Sequence, residues 1–102
     1  MASTKEYRDF ILEQLSDLDG IRCRAMMGEF ILYCRGKIFG GIYDDRLLVK
    51  AVPVAERMMP DAARQLPYEG AKEMLLVDDV DNREFLSGLV DAIWEELPDK
   101  KK

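Results

Sequence analysis

Histidine is absent from the 102-residue chain. That gap removes Ser-His-Asp and Cys-His catalysis, imidazole general bases and any histidine-based metal site. Cysteine is scarce. Cys23 and Cys34 are the two thiols, too few for a disulfide framework, and they read as reduced, half-buried small residues. Long apolar runs are missing: Met74 to Val77 is among the longest, far below the roughly 18 residues that a membrane span requires. The opening residues, MASTKEYRDF, contain neither an apolar stretch nor a signal-type cleavage region, so a cytoplasmic location is expected. A basic surplus is missing too. The 15 Lys and Arg stand against 20 Asp and Glu, a net charge of −5, which argues against general affinity for nucleic acid phosphates.

Sequence motifs for chemistry are equally sparse. No Gly-x-Gly-x-x-Gly or Walker-type Lys-Ser/Thr pattern occurs, so nothing supports a phosphate cradle. Asp78-Asp79-x-Asp81 resembles part of a calcium loop but lacks its glycine and distal glutamate, and is better explained as a strand end followed by a helix cap. Glu6, Asp9, Glu13, Asp17, Asp91 and Glu95 fall on polar helix faces, where carboxylates are normally solvated. Neither a catalytic residue nor a metal or other cofactor is expected.

What is present is enough apolar material, 48% of residues, for one core. The length suits a single domain, expected over residues 1–98 with a short basic tail over 99–102. Ser3-Thr4-Lys5-Glu6 fits a capping box, with Ser3 as cap and Glu6 reaching back to it. Tyr7, Phe10, Ile11, Leu15 and Leu18 then recur at helical spacing, so a helix is expected over about 4–18, closed by Gly20. From 21 to 51 the period changes to two. Ile21 to Ala25, Phe30 to Arg35, Lys37 to Tyr43 and Arg46 to Ala51 read as four short strands of an antiparallel meander, with tight turns at Arg35-Gly36 and Asp44-Asp45. Gly40-Gly41, inside a strand, marks a bulge, a bend or close approach of another backbone.

Pro53 starts a short helix over 54–59, and Gln65 to Lys72 reads as a loop. Met74 to Val77 fits a fifth strand buried on both sides. Asp81-Asn82-Arg83-Glu84 opens a last helix, whose apolar stripe runs from Phe85 to Leu97 before Pro98. The expected fold is α+β, in two layers: an antiparallel sheet of about five strands with helices on one face.

Charge is uneven. Residues 22–50 hold six basic side chains and three acidic ones, a net of +3, so the remainder carries −5 − 3 = −8. Alternation is expected to set Arg22, Arg24, Tyr33, Arg35, Lys37, Tyr43, Arg46 and Lys50 on the sheet face away from the helices. The face reads either as a solvated surface with scattered aromatics or, with Arg and Tyr interleaved, as one that meets a protein partner or a second copy of the chain. Nucleic acid is the weaker alternative. A carboxylate- or thiol-dependent enzyme is weaker still.

The run Met26-Met27-Gly28-Glu29-Phe30-Ile31-Leu32-Tyr33, followed by Arg35-Gly36-Lys37-Ile38-Phe39-Gly40-Gly41-Ile42-Tyr43-Asp44-Asp45-Arg46-Leu47-Leu48-Val49-Lys50, resembles the TfoX (Sxy-like) N-terminal domain family. Pro67-Tyr68, Met74 to Val77 and the closing helix with Trp94 fit the same pattern. The resemblance implies a fold similar to the type III secretion chaperone-like group and a link to regulators of competence for DNA uptake. The family's motif positions fall on Gly28, Gly36 and Gly40, with Asp45 in a turn and Lys50 at a strand end. No catalytic residue carries over. The resemblance therefore implies a non-enzymatic binding or regulatory domain.

Overall fold

The structure, a computed structural model, describes residues 4–26, 29–66, 70 and 72–97. The amino-terminal stripe forms helix α1, Lys5–Gln14. Thr4 is its N-cap, the Oγ1 accepting from the Tyr7 amide at 3.2 Å. Ser3, the expected cap, lies outside the described residues. The reciprocal bond expected from Glu6 comes from elsewhere in the chain, since the Thr4 amide donates to Asp45 Oδ1 at 2.8 Å. The helix ends four residues earlier than its apolar stripe, and the chain reaches Gly20 (φ +79°) through turns, so Gly20 closes the connection rather than the helix. Phe10, expected in the core, is 37% exposed, its ring tilted against Tyr7.

Strands β1 (Ile21–Met26), β2 (Glu29–Cys34), β3 (Lys37–Ile42) and β4 (Leu47–Lys50) form the meander. Arg35 (φ +50°) and Gly36 (φ +86°) turn β2 into β3, and Asp44 (φ +55°) and Asp45 (φ +58°) turn β3 into β4. Two successive left-handed residues match the twist of a two-residue hairpin, which is why Gly and Asp stand there. Helix α2, Pro53–Met58, follows. Its Val52 cap offers no side-chain acceptor, and Glu96 of the last helix supplies one instead, taking the Val54 amide at 3.0 Å.

The expected loop from Gln65 begins with a strand. Arg64–Gln65 (β5) pairs with Met74–Leu76 (β6), and the sheet has six strands in the order β1-β2-β3-β4-β6-β5, all neighbours antiparallel. A two-residue strand is too short to leave an alternation in the sequence. Helix α3, Arg83–Glu96, completes the chain, capped by Asn82, whose side chain accepts from the Phe85 amide at 3.0 Å.

Ile11 and Leu15 near α1, Ala55 of α2 and Leu86, Leu89, Val90 and Ile93 of α3 share one core cluster with Phe30, Leu32, Cys34, Phe39, Ile42, Leu47, Val49 and Leu75 of the sheet. The helices thus cover one face. β6 is buried less than expected: Leu75 is enclosed, while Met74 and Leu76 on the other face are half-buried.

Cys23 and Cys34 are free thiols on the helix-covered face, diagonal across β1 and β2. Burial raises the pKa of both. A thiol raised in the folded state contributes stability that is complete below its unfolded pKa, about 8.5, and lost as pH climbs past it. The urea midpoint is therefore expected to fall between pH 7 and pH 10 more steeply for the wild type than for a Cys23→Ala/Cys34→Ala variant. Parallel slopes would show the thiols to be thermodynamically silent.

Candidate functional site

The uncovered face begins with the register. Arg22 pairs with Tyr33, Arg24 with Ile31 and Met26 with Glu29, so these six side chains share the face opposite the core. The β2–β3 pairing then slips between Leu32 and Tyr33: Tyr33 faces Ile38, but Leu32 faces Gly40. Phe39 is the extra residue of a bulge, which moves the following residues to the other parity. Gly41 and Tyr43 consequently sit on the open face, and Ile42 in the core.

Gly40 and Gly41 are glycines for separate reasons. A Cβ at Gly40 would overlap the Leu48 carbonyl oxygen and stand 2.9 Å from Val49 Cα, so β3 and β4 approach closely at the bulge. A Cβ at Gly41 would lie 2.7 Å from Tyr43 Cε2, because the Tyr43 ring lies across that glycine. Tyr43 and Leu48 are both buried without joining the main core cluster, and they give the open face a floor of its own.

Above that floor runs a groove of about 1060 Å³. Met26, Ile31, Tyr33, Ile38, Tyr43 and Met74 supply its apolar lining, and Glu29, Lys50, Lys72 and Glu73 its charges. Met26 is 48% exposed and Ile38 39% exposed, large apolar surfaces left open to water. Of the residues expected here, Tyr33, Tyr43 and Lys50 line the groove. Arg22 and Arg24 are exposed on β1 at the sheet's outer edge. Arg46 is tied down, with Nε donating to the Tyr43 carbonyl at 3.1 Å and Nη1 to Gln65 Oε1.

Two expected members belong to the other side. Arg35 and Lys37 lie over the Trp94 ring, 5.0 and 4.4 Å from its centroid, and Lys37 Nζ donates to the Leu97 carbonyl at 3.1 Å. The cause is the two-residue turn, which pairs Lys37 with Cys34 and so gives both the same face. Arg35 also meets Asp91 at 3.5 Å. Both cations bind α3 near its carboxyl end, where a helix attracts positive charge.

Among the motif positions, Gly28 lies outside the described residues, Gly36 supplies the left-handed turn, and Asp45 holds the start of α1. Ile31, Ile38, Met26 and Met74 were not anticipated in the groove. Their signal is the unbroken apolar run Phe30-Ile31-Leu32-Tyr33, which places apolar residues on both faces of β2.

No group of three or more His, Cys, Asp or Glu residues able to hold a metal occurs among the described residues. Glu6, Asp9, Glu13, Asp17, Asp91 and Glu95 are all exposed. No helix among the described residues is long and apolar enough to cross a membrane.

A family model described as the TfoX N-terminal domain matches residues 13–93. The chain belongs to the TfoX N-terminal domain family. The match spans the meander, α2 and most of α3, so the groove and both hairpins lie inside the TfoX domain. An uncharacterised 12.7 kDa protein in the trpE 5′ region of Spirochaeta aurantia is 31% identical over 80 residues, covering 78% of this chain and 70% of that protein. No solved structure matches significantly.

Proposed function

We propose that this TfoX domain is a small, non-enzymatic cytoplasmic binding domain that recognises a protein through the groove on its open sheet face. One observation carries the reading: among the described residues no helix packs on one face of the six-stranded sheet, which holds a groove of about 1060 Å³ and exposed Met26 and Ile38. Open apolar surface framed by charge is the anatomy of an interaction site. The raised thiols of Cys23 and Cys34 are poor nucleophiles, which favours binding over catalysis. A regulatory setting is favoured by family membership. Nucleic acid is disfavoured further, because Arg35 and Lys37 are engaged with Trp94 on the helix side.

The test places a charge in the groove. Ile38→Asp is expected to keep the wild-type melting temperature within a few degrees and to lose the proteins that tagged wild type retains specifically. Sedimentation of both proteins separates a foreign partner from self-association, which predicts a dimer for the wild type alone. Identical retained proteins and identical masses for the two would refute the groove as the site.

A further inference from the structure

We infer that the outer edge of β1 accepts an extended acidic segment of a partner protein, which adds to the sheet as a further strand. The inference takes its class of partner, a protein, from the reading above, but it uses the sheet's edge instead of the groove.

β1 stands at one end of the strand order, and its Arg22, Arg24, Ala25 and Met26 are exposed. Its hydrogen-bonding pattern follows from the register. The Arg35 amide donates to the Gly20 carbonyl at 2.9 Å, so Gly20 and Arg35 form a hydrogen-bonded pair. Such pairs alternate along an antiparallel ladder. Arg22, Arg24 and Met26 therefore turn their backbone groups towards β2, while Ile21, Cys23 and Ala25 turn theirs outward. Six residues without proline present three outward N–H and three outward C=O groups. Proteins normally blunt such an edge with charged side chains, proline, a bulge or a very short strand. β1 has only the first of these, in Arg22 and Arg24, which repel a second copy but not an acidic strand.

Charge decides the occupant. Arg8, Arg35, Arg57, Arg64 and Arg83 each meet a carboxylate within 4 Å, and Arg46 is held by Gln65 and the Tyr43 carbonyl. Arg22 and Arg24 have no such partner among the described residues, and they project side by side from the open face of the edge strand. A second copy fits poorly. Antiparallel pairing centred on Cys23 sets Arg22 opposite Arg24 twice, and a two-residue shift sets Arg22 opposite Arg22 or Arg24 opposite Arg24. Like charges directly opposite one another weaken a ladder. A partner with carboxylates at alternate positions makes both contacts attractive. Its intervening side chains would continue the face of Ile21 and Cys23, which pack against the core, so they are apolar.

The probe is a fluorescein-labelled peptide of four Val-Glu repeats, titrated by anisotropy at low salt. Controls are four Val-Lys repeats and a peptide of four Val followed by four Glu. The alternating acidic peptide is expected to bind the wild type roughly 2- to 30-fold more tightly than either control, from two favourable cross-strand pairs. Arg22→Glu/Arg24→Glu should transfer the preference to the Val-Lys peptide. Ala25→Pro removes an outward donor at a position where an edge strand tolerates proline, and should abolish binding while leaving circular dichroism unchanged. Amide exchange at Ile21, Cys23 and Ala25 should slow on addition of peptide.

Equal binding of the alternating and block acidic peptides would overturn the inference, leaving a general attraction of charge. So would unchanged exchange at those three amides. A wild-type dimer that Ala25→Pro dissociates would give the edge to a second copy instead. Should Ala25→Pro fail to fold, the charge-reversal pair and the exchange measurement decide. Ile38→Asp should leave peptide binding intact, so the groove and the edge can fail separately.

Discussion

Gly40→Ala is expected to lower the stability of the domain by about 3 kcal/mol or more, the upper range for overpacking a fitted site. For a domain of this size, that corresponds to a fall in Tm of roughly 12–24 °C. The added carbon meets backbone, the Leu48 carbonyl oxygen and Val49 Cα, neither of which can rotate away. Relief requires β3 and β4 to separate where Gly40 pairs with Val49, beside the bulge that sets the parity of Gly41 and Tyr43. The groove should loosen with the strands. Gly36→Ala is the control. Its φ of +86° makes alanine strained, but nothing lies within 4 Å of the added carbon, so the cost is the left-handed one of about 1–2 kcal/mol. Thermal melts followed by circular dichroism compare the two. A Gly40→Ala protein as stable as Gly36→Ala would mean that the strands do not approach closely at the bulge.

The same bulge shows where the sequence stops being readable. Local signals are clear wherever one residue type solves one backbone problem: Asn82 at the cap of α3, Arg35-Gly36 and Asp44-Asp45 in hairpin turns, Pro53 at the first turn of α2. Face assignment needs the count of residues between turns and bulges. Lys37 is three residues after Cys34 across a two-residue turn, so pairing geometry alone puts it on the core side. Strict alternation from Lys37 would then carry Tyr43 to the core as well. The extra residue at Phe39 moves it to the open face, and a pair of glycines announces a bulge without saying which residue is extra. Thr4 and Asp45, 41 positions apart, divide between them what a capping box does locally, and that exchange follows from packing. The groove's apolar lining was obscured for a third reason. An unbroken apolar run has no period to sort, so Ile31 and Leu32 look alike in the sequence although they occupy opposite faces.

Trp94→Ala should cost about 3 kcal/mol, at the low end for removing a large aromatic from a packed site because the ring is only half-buried. More is lost than the ring's own packing. Arg35 and Lys37 lie over the same indole, and Lys37 also donates to the Leu97 carbonyl at the C-cap of α3. That helix has no basic residue in its last turn, so a strand supplies the cation that its carboxyl end favours. Trp94→Phe separates the contributions. It keeps an aromatic face for the two cations and deletes the indole Nε1, a buried donor with no partner among the described residues. Its cost should stay below about 1.5 kcal/mol, because removing an unsatisfied buried donor offsets some of the lost contact area. As Trp94 is the single tryptophan, its emission also reports the cations directly: Lys37→Ala and Arg35→Ala should each shift the spectrum in the folded protein. Equal destabilisation by Trp94→Phe and Trp94→Ala, with an unchanged spectrum in both cation variants, would mean that the indole ring holds neither side chain.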